Sequence, residues 1–480
     1  MNALLCATIN GPTFSQAKQQ ILDSLPFVDS IELRVDSLST LSPSALSFLL
    51  AMAKAPILTY KKPQGLSSSA WVEKILSLAA LSPTYLDVDI QFPQDALRKI
   101  RLSYPDIKII LSHHTETYED PHHIYHKMHS TPAHYYKIVT YSETPLQTLR
   151  FVHAARSLPP QATALCLGEH SLASRVLSPL MGNAMNYAAG RHASPAAPGQ
   201  PHLDDLLAYN YKNLSQEAEI YALIGNPVDR SPSHITHNKF FSKLLIKASY
   251  IKIPLSPEQL TEFFIILRTL PFRGLSVTMP LKVPVMDYMD ILDPSAQLCG
   301  AVNTILFHED VLYGYNTDGQ GAFNLLVRKG VAIKNKHVAI LGAGGAARSL
   351  AVTLAHHGAY IHIFNRTFQN AESLAKLCNG TAHPLKDLRG FASDLLINTL
   401  PPEIGFPWEF PPIILDINTF PKNTPYLLKA QQLGVRVFHG YEMFIEQALL
   451  QFSLWFPELS SQHLQLFREN IESLMHALDP

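Results

Sequence analysis

The feature that most limits what this chain can become is a pattern repeated eight times before residue 190, a short apolar stretch followed by a more polar one. The stretches are ALLCATI from Ala3, SIELRV from Ser30, PILTY from Pro56, TYLDVDI from Thr84, IKIIL from Ile107, YYKIVT from Tyr135, TALCLG from Thr163 and MNYAA from Met185. Between them, segments such as WVEKILSLAAL and DALRKIRL carry apolar residues at helical spacing. Strand followed by helix, eight times over, predicts a closed (β/α)8 barrel. Such a barrel uses roughly 200 to 250 residues. The chain has 480, so a second structure must follow.

The turn-rich HASPAAPGQP, from His192 to Pro201, leads into the helical pattern DLLAYNYKNL, and the join is placed near Ser215. A new apolar strand, IYALIG, begins at Ile220, and alternation continues to about Lys334. There KHVAILGAGGAARSLAVTLAHHGAYIHIFNRT spells strand, glycine turn, helix and strand, a Rossmann-type unit. The expected organisation is therefore an α/β chain: a barrel over 1–214, a substrate lobe over 215–330 completed by helices in 440–480, and a nucleotide lobe over 331–439. The apolar helical pattern YEMFIEQALLQFSLWF is expected to pack back on the first of these lobes.

Composition removes several alternatives. Hydrophobic residues at 47% against 16% charged supply ample core, and 38 Lys plus Arg balanced by 39 Asp plus Glu leave no electrostatic footprint for nucleic acid. Four scattered cysteines, Cys6, Cys166, Cys299 and Cys378, lack metal-ligand or disulfide spacing. The start carries no secretory signal pattern, and no apolar run reaches the 18 or so residues that span a bilayer. The expectation is a cytoplasmic protein acting on small molecules, with no metal, nucleic acid or membrane partner. The oligomeric state is not legible.

In SIELRVD, Ile31, Leu33 and Val35 alternate with Glu32, Arg34 and Asp36. Period-two geometry puts the charges on one face, and inward residues near strand C-termini line a barrel's active site. Lys137, inside YYKIVT, is expected to point inward, lose solvation and offer a neutral amine for attack on a carbonyl. His114, ending KIILSHH, could move the protons that such chemistry requires, although 22 histidines make that residue weak evidence by itself. Together ELRVD at 32–36, SHH at 112–114, YKIVT at 136–140, Ser174-Arg175 and APGQP at 197–201 resemble type I 3-dehydroquinate dehydratase. The resemblance implies a Schiff base on Lys137, proton removal by His114, a substrate carboxylate held by Arg175, and a polar shell of Glu32, Arg34 and Gln200. The family's usual Arg and Glu after the third strand are replaced by YKKPQG, with Lys61 and Gln64. Ala196 stands where a serine is usual, with Ser194 two residues earlier. Lys61 and Ser194 are taken as substrate contacts in their place.

In the second half, the turn Gly342, Ala343, Gly344, Gly345 and Ala346 lets a backbone approach a pyrophosphate at a helix N-terminus. After the next strand, Asn365, Arg366 and Thr367 place an arginine where NAD enzymes carry an acid, favouring a 2′-phosphate and hence NADP(H). Upstream, GNPVDRSPSHITHN, GLSVTMPLK, AVNT and GYNTDGQG put polar groups at strand-loop junctions. These segments resemble shikimate dehydrogenase. The resemblance implies Ser231 and Ser233 on the substrate carboxylate, Thr278, Asn303 and Gln447 on its other polar groups, Lys282 and Asp318 as the catalytic pair, and Gly440 beside the cofactor. Departures lie at SPSH, at Thr419 and in NTLPPEIG.

The two resemblances reinforce each other, because the product of the first reaction, 3-dehydroshikimate, is the substrate of the second. Two other readings stay open. One is a regulator that senses NADP(H) or a cyclitol without turnover. The other is quinate oxidation in the second half.

Overall fold

The computed structural model describes residues 3–38, 41–229, 231–402, 410–419 and 421–477. It divides into two compact units. One is Met1–Glu219 with Phe241–Ser249 and Ile265–Pro271; the other is Ile220–Phe240 with Tyr250–Phe264 and Phe272–Pro480.

The first unit holds eight parallel strands: β1 (Leu4–Ile9), β2 (Ser30–Arg34), β3 (Ile57–Thr59), β4 (Tyr85–Asp89), β5 (Lys108–His114), β6 (Tyr135–Tyr141), β7 (Ala162–Leu167) and β8 (Met185–Ala189). Their order, β7-β6-β5-β4-β3-β2-β1-β8, bends into a barrel that is nearly closed. The seam between β7 and β8 is bridged differently. Ala184 N donates to Ala162 O at 2.8 Å, and the buried Asn183 amide both accepts from Ala164 N and donates to Ala164 O. Inside, Cys6, Ile57, Tyr85, Ile110, Leu165, Met185 and Tyr187 form an apolar layer. Above it the inward positions turn polar.

The helix expected over DLLAYNYKNL is broken. Helix Leu203–Leu207 gives way to a single 3-10 turn, Tyr211–Asn213, because Asn210 adopts a left-handed conformation (φ 61°). Its amide bonds the carbonyls of Ile246 and Ala248, each at 2.8 Å. Those two bonds take an amide that a helix would have left in water.

The second unit carries two sheets. In the first, β9 (Glu219–Gly225), β10 (Ala248–Pro254), β11 (Phe272–Val277), β12 (Ile291–Leu292), β13 (Thr304–His308) and β14 (Val311–Tyr315) run in the mixed order β10-β9-β11-β13-β14-β12. The second comprises β15 (His337–Leu341), β16 (Tyr360–Asn365), β17 (Thr381–Pro384), β18 (Leu395–Asn398), β19 (Ile413–Asp416) and β20 (Arg436–Phe438). It is ordered β17-β16-β15-β18-β19-β20, each strand parallel to its neighbours. That order reverses between β15 and β18, the crevice where doubly wound sheets take ligands. Helix Gly440–Trp455 returns to the mixed sheet, where Trp455 Nε1 donates to Ile305 O and Gln451 Nε2 to Thr304 Oγ1. Among the described residues, no helix is long and apolar enough to cross a membrane.

Candidate active sites

Parallel register builds the first site from strands far apart in sequence. Lys137 on β6 stands opposite Ser112 on β5, and His114 lies two residues further along the same face. Glu32 stands opposite Thr8. Lys137 is 8% exposed, and its Nζ lies 3.0 Å from Asp87 Oδ2 and 3.3 Å from Glu32 Oε1. Thr8 and Thr59 donate hydroxyls to Glu32 at 2.7 and 2.9 Å, and Gln200 Nε2 donates to Thr8 Oγ1 at 3.0 Å. Gln200, Thr8, Glu32, Lys137 and Asp87 thus form one buried chain of hydrogen bonds.

This arrangement corrects the expected protonation state. Burial alone pushes the Lys137 ammonium down, but the Asp87 and Glu32 carboxylates outweigh it and hold its pKa above the usual lysine value. Burying an unpaired ion costs several kcal/mol, about what close, hydrogen-bonded counter-ions can return. The resting amine is therefore charged. Glu32 answers in kind: burial raises it, yet Lys137, Arg34 and the two threonines bring it down to about 2.

His114 keeps an exposed ring, although protein crowds it on its inner side. That crowding, and then the Lys137, Lys61 and Arg34 cations, push its imidazole below the ordinary histidine range. It stays neutral at physiological pH and free to accept a proton. Arg34 grips Asp36 through Nε and Nη2 at 3.1 and 2.8 Å. Arg175 is 4% exposed, with Nη2 on Cys166 O at 3.2 Å and Nε without a partner. Its burial brings it down to about 10. A buried guanidinium bonded only to carbonyls is suited to an anion. Lys61 and Ser194 are both exposed, and Ser194 contributes its carbonyl to Asn10 Nδ2 at 2.8 Å.

Two members of this site escaped the sequence reading. Asp87 was available as an acid on the alternation of TYLDVDI, but a half-solvated strand would show the same pattern. The Tyr187 ring, 3.9 Å from Lys137 Nζ, had no local signal at all.

The second site is compact. Lys282, in the turn after β11, puts Nζ 2.5 Å from Asp318 Oδ2. Asp318 is 1% exposed and is the first residue of helix Asp318–Arg328, where the helix dipole favours an anion. Asn303 Nδ2 donates to its other oxygen at 2.8 Å, and Thr317 N and Thr304 Oγ1 fix the Asn303 carbonyl. Asn316 Oδ1 accepts from Asp318 N at 3.0 Å and from Ser349 Oγ at 2.7 Å. Ser349 belongs to the helix that begins at the glycine turn, a link to the pair that no motif announced.

Helix Gly345–His356 starts at Gly344 with no side chain capping it. Its first N–H groups are open to a ligand. Gly342 has φ 105°, and a Cβ at Gly344 would meet nothing within 4 Å, so the turn presents bare backbone and free space at Ala343–Ala346. Across it, a Cβ at Gly345 would lie 3.1 Å from Lys282 Cβ. The nucleotide turn and the lysine are direct neighbours. Arg366 and Thr367 are exposed after β16, where Asn365 Nδ2 bonds Thr367 O at 2.9 Å. These residues fit a phosphorylated dinucleotide. Gly440 admits no side chain, since a Cβ there would collide with the carbonyls of Ile417 and Asn418.

Ser231 and Ser233 set their hydroxyls 3.0 Å apart. Thr278 is half-buried, its N–H on Ile224 O at 2.9 Å. Gln447 is half-buried where helix Gly440–Trp455 meets Gly321. Glu403–Gly405 of the NTLPPEIG segment lie outside the described residues. Among the described residues, no group of three or more His, Cys, Asp or Glu could hold a metal ion.

A caged lysine in a barrel and a lysine-aspartate pair beside a dinucleotide turn define an enzyme with two active sites. The family described as type I 3-dehydroquinase matches residues 5–215. The shikimate dehydrogenase substrate binding domain matches residues 223–305, and shikimate/quinate 5-dehydrogenase matches residues 325–398. The chain is 52% identical over 474 residues to the shikimate biosynthesis protein AroDE of Chlamydia pneumoniae, covering 98% of this chain and 99% of that one. It is 34% identical over 251 residues to the shikimate dehydrogenase (NADP(+)) of Nitrosopumilus maritimus, covering 49% of this chain and 92% of that one. A chorismate mutase/shikimate 5-dehydrogenase fusion protein from Clostridium acetobutylicum has a similar structure, with a TM-score of 0.51 at 27% identity over 55% of this chain and 100% of that one. The chain belongs to the family of fused 3-dehydroquinate dehydratase and shikimate dehydrogenase proteins that includes AroDE. It is a bifunctional enzyme, a lyase in its first half and an oxidoreductase in its second.

Proposed function

We propose that the first half, bounded near residue 214, dehydrates 3-dehydroquinate through a Schiff base on Lys137. The second half reduces the resulting 3-dehydroshikimate to shikimate with NADPH. The observation that carries the first assignment is the ammonium of Lys137 held between Asp87 and Glu32 inside the barrel.

Ammonium and ketone combine to give a protonated imine and water, so the nitrogen carries the cationic charge that the two carboxylates balance both before the imine forms and after. Before the lone pair can attack, a neighbouring base takes one proton, and His114, unprotonated at rest, is the group assigned to it. His114 gives that proton to the carbinolamine hydroxyl as it leaves as water and, neutral again, removes the proton beside the imine carbon and returns it to the departing hydroxyl. Arg175 holds the substrate carboxylate. Glu32, Arg34 and Gln200 line the pocket, with Lys61 and Ser194 at its rim.

In the second half, over lobes 215–330 with 440–480 and 331–439, the turn 342–346, the strand end 365–367 and Gly440 would hold NADPH. When bound, it supplies hydride. Lys282 delivers a proton to the alkoxide that develops at the reduced carbon, and Asp318, fixed by Asn303, keeps the ammonium aimed. Ser231 and Ser233 bind the substrate carboxylate, while Thr278, Asn303 and Gln447 contact its hydroxyls. The paired serine hydroxyls favour shikimate over quinate.

Borohydride added with 3-dehydroquinate is expected to leave a reduced adduct on Lys137, read by peptide mass. An active enzyme yielding no adduct there would overturn the Schiff-base reading. Feeding 3-dehydroquinate with NADPH should release shikimate, and equal rates with NADH would count against the assigned cofactor.

A further inference from the structure

One neighbour of Lys137 has no part in the acid-base steps above. The Tyr187 ring is 3% exposed and belongs to the apolar layer beneath the reacting nitrogen. Nζ stands 3.9 Å from its centroid, well inside the roughly 6 Å at which a cation feels an aromatic face. The Tyr187 hydroxyl turns away to Met185 Sδ at 3.4 Å, so the ring and not the oxygen meets the nitrogen. Register with Cys6 on β1 and the Arg175 contact to its carbonyl fix where the ring sits. The other groups around the nitrogen are Glu32 and Arg34 from β2, Asp87 from β4, His114 from β5 and Cys6 from β1. A carboxylate attracts the cation but can also take its proton. An aromatic face attracts the cation and offers no site for a proton.

We propose that Tyr187 is a catalytic residue of the dehydratase whose ring favours the protonated iminium of Lys137 over the neutral imine. The proposal rests on the Schiff-base reading. As the carbon-nitrogen bond forms and the carbon-oxygen bond breaks, the carbonyl oxygen leaves as water with two of the three ammonium protons. The third proton and the positive charge remain on nitrogen. His114 then takes the neighbouring proton, and the electron pair of that carbon-hydrogen bond flows toward the iminium nitrogen to give an enamine. A neutral imine accepts those electrons poorly. By favouring the iminium over the imine, the ring extends the pH range in which elimination runs.

The dependence of kcat on pH reports groups titrating in the enzyme-substrate complex. Tyr187→Leu should move its alkaline limb down by about one pH unit, the size of a desolvated cation-ring attraction. Tyr187→Phe keeps the ring and should hold the limb where the native chain has it. Mono-, di- and trifluorophenylalanine at 187 preserve shape while draining the ring face, and should move the limb in graded steps even where the leucine variant does not fold. An unmoved limb across the fluorinated series overturns the proposal, as does a Phe limb displaced as far as that of trifluorophenylalanine. Borohydride trapping on the native chain separates the two ideas. Absence of the Lys137 adduct sinks the Schiff-base reading, whereas an adduct with an immobile limb sinks the role of Tyr187 alone.

Discussion

The two lysines at the heart of this enzyme live in opposite surroundings. Lys137 is enclosed by a ring of strands, with carboxylates from β2 and β4, an aromatic face from β8 and an imidazole from β5. Lys282 sits in a turn at the end of an open sheet, its side chain 16% exposed and ion-paired to Asp318. A barrel brings many strand ends to one point, so it can surround a nitrogen with counter-ions from several strands, as the Schiff-base role proposed for Lys137 requires. An open sheet brings fewer elements to Lys282, which suits the proton-donor role proposed for it. The difference teaches that the same side chain is set to its chemistry by how many elements converge on it.

Exchanging the lysines for alanine is the harshest way to break this comparison. Lys137→Ala should lower dehydratase turnover by about 10⁴-fold or more, as loss of a covalent nucleophile does, and leave the dehydrogenase rate at its native level. Lys282→Ala should lower dehydrogenase kcat by roughly 10² to 10⁴-fold, the worth of one acid catalyst, with little change in KM. A pure KM defect there would contradict the assigned role.

Stability tests come next. Asp87→Asn leaves the buried ammonium with one anion and should cost the first unit about 3 kcal/mol, read as a lower unfolding midpoint in urea. Acid weakens both units through buried groups held below their ordinary pKa. His237 is buried among Tyr250, Phe452 and Phe467, and that burial pushes it from its ordinary 6.5 down to about 3. The unfolded chain therefore takes up that proton first. The stability His237 lends is whole above pH 6.5 and drains as pH falls toward 3, by about 2 kcal/mol at pH 5. Glu32, brought from 4.5 to about 2, lends stability that is lost only below about 4.5. His114 in the first unit is held low in the same way, so both units should begin to weaken as pH falls below 6.5, and a second-unit melting transition that stays fixed between pH 7 and 5 would refute the part given to His237. The mildest effect expected is for Arg366→Leu, an increase of about tenfold in KM for NADPH with that for NADH unmoved.

Much of this was written in the residue order. Eight strands and the glycine turn were legible because strand alternation and turn chemistry are local properties, whereas the pairing of Lys282 with Asp318 came only from the resemblance to shikimate dehydrogenase. Asn210 was not, since the carbonyls of Ile246 and Ala248 that break its helix lie more than 30 residues away. The charge on Lys137 was misread for the same reason. Inward orientation followed from its strand, but its counter-ions stand 105 and 50 residues off.

By itself, then, the chain determined which segments become strands, where backbone must approach phosphate, and which amines are drawn inward. Only the closed ring decided that Lys137 meets Glu32, Asp87 and Tyr187 together, and only the meeting of helix Gly345–His356 with Lys282, Asn316 and Gly319 decided how the turn faces the lysine-aspartate pair. Charge state and aim depend on distances between elements, and those distances are set by packing, which no stretch of sequence contains.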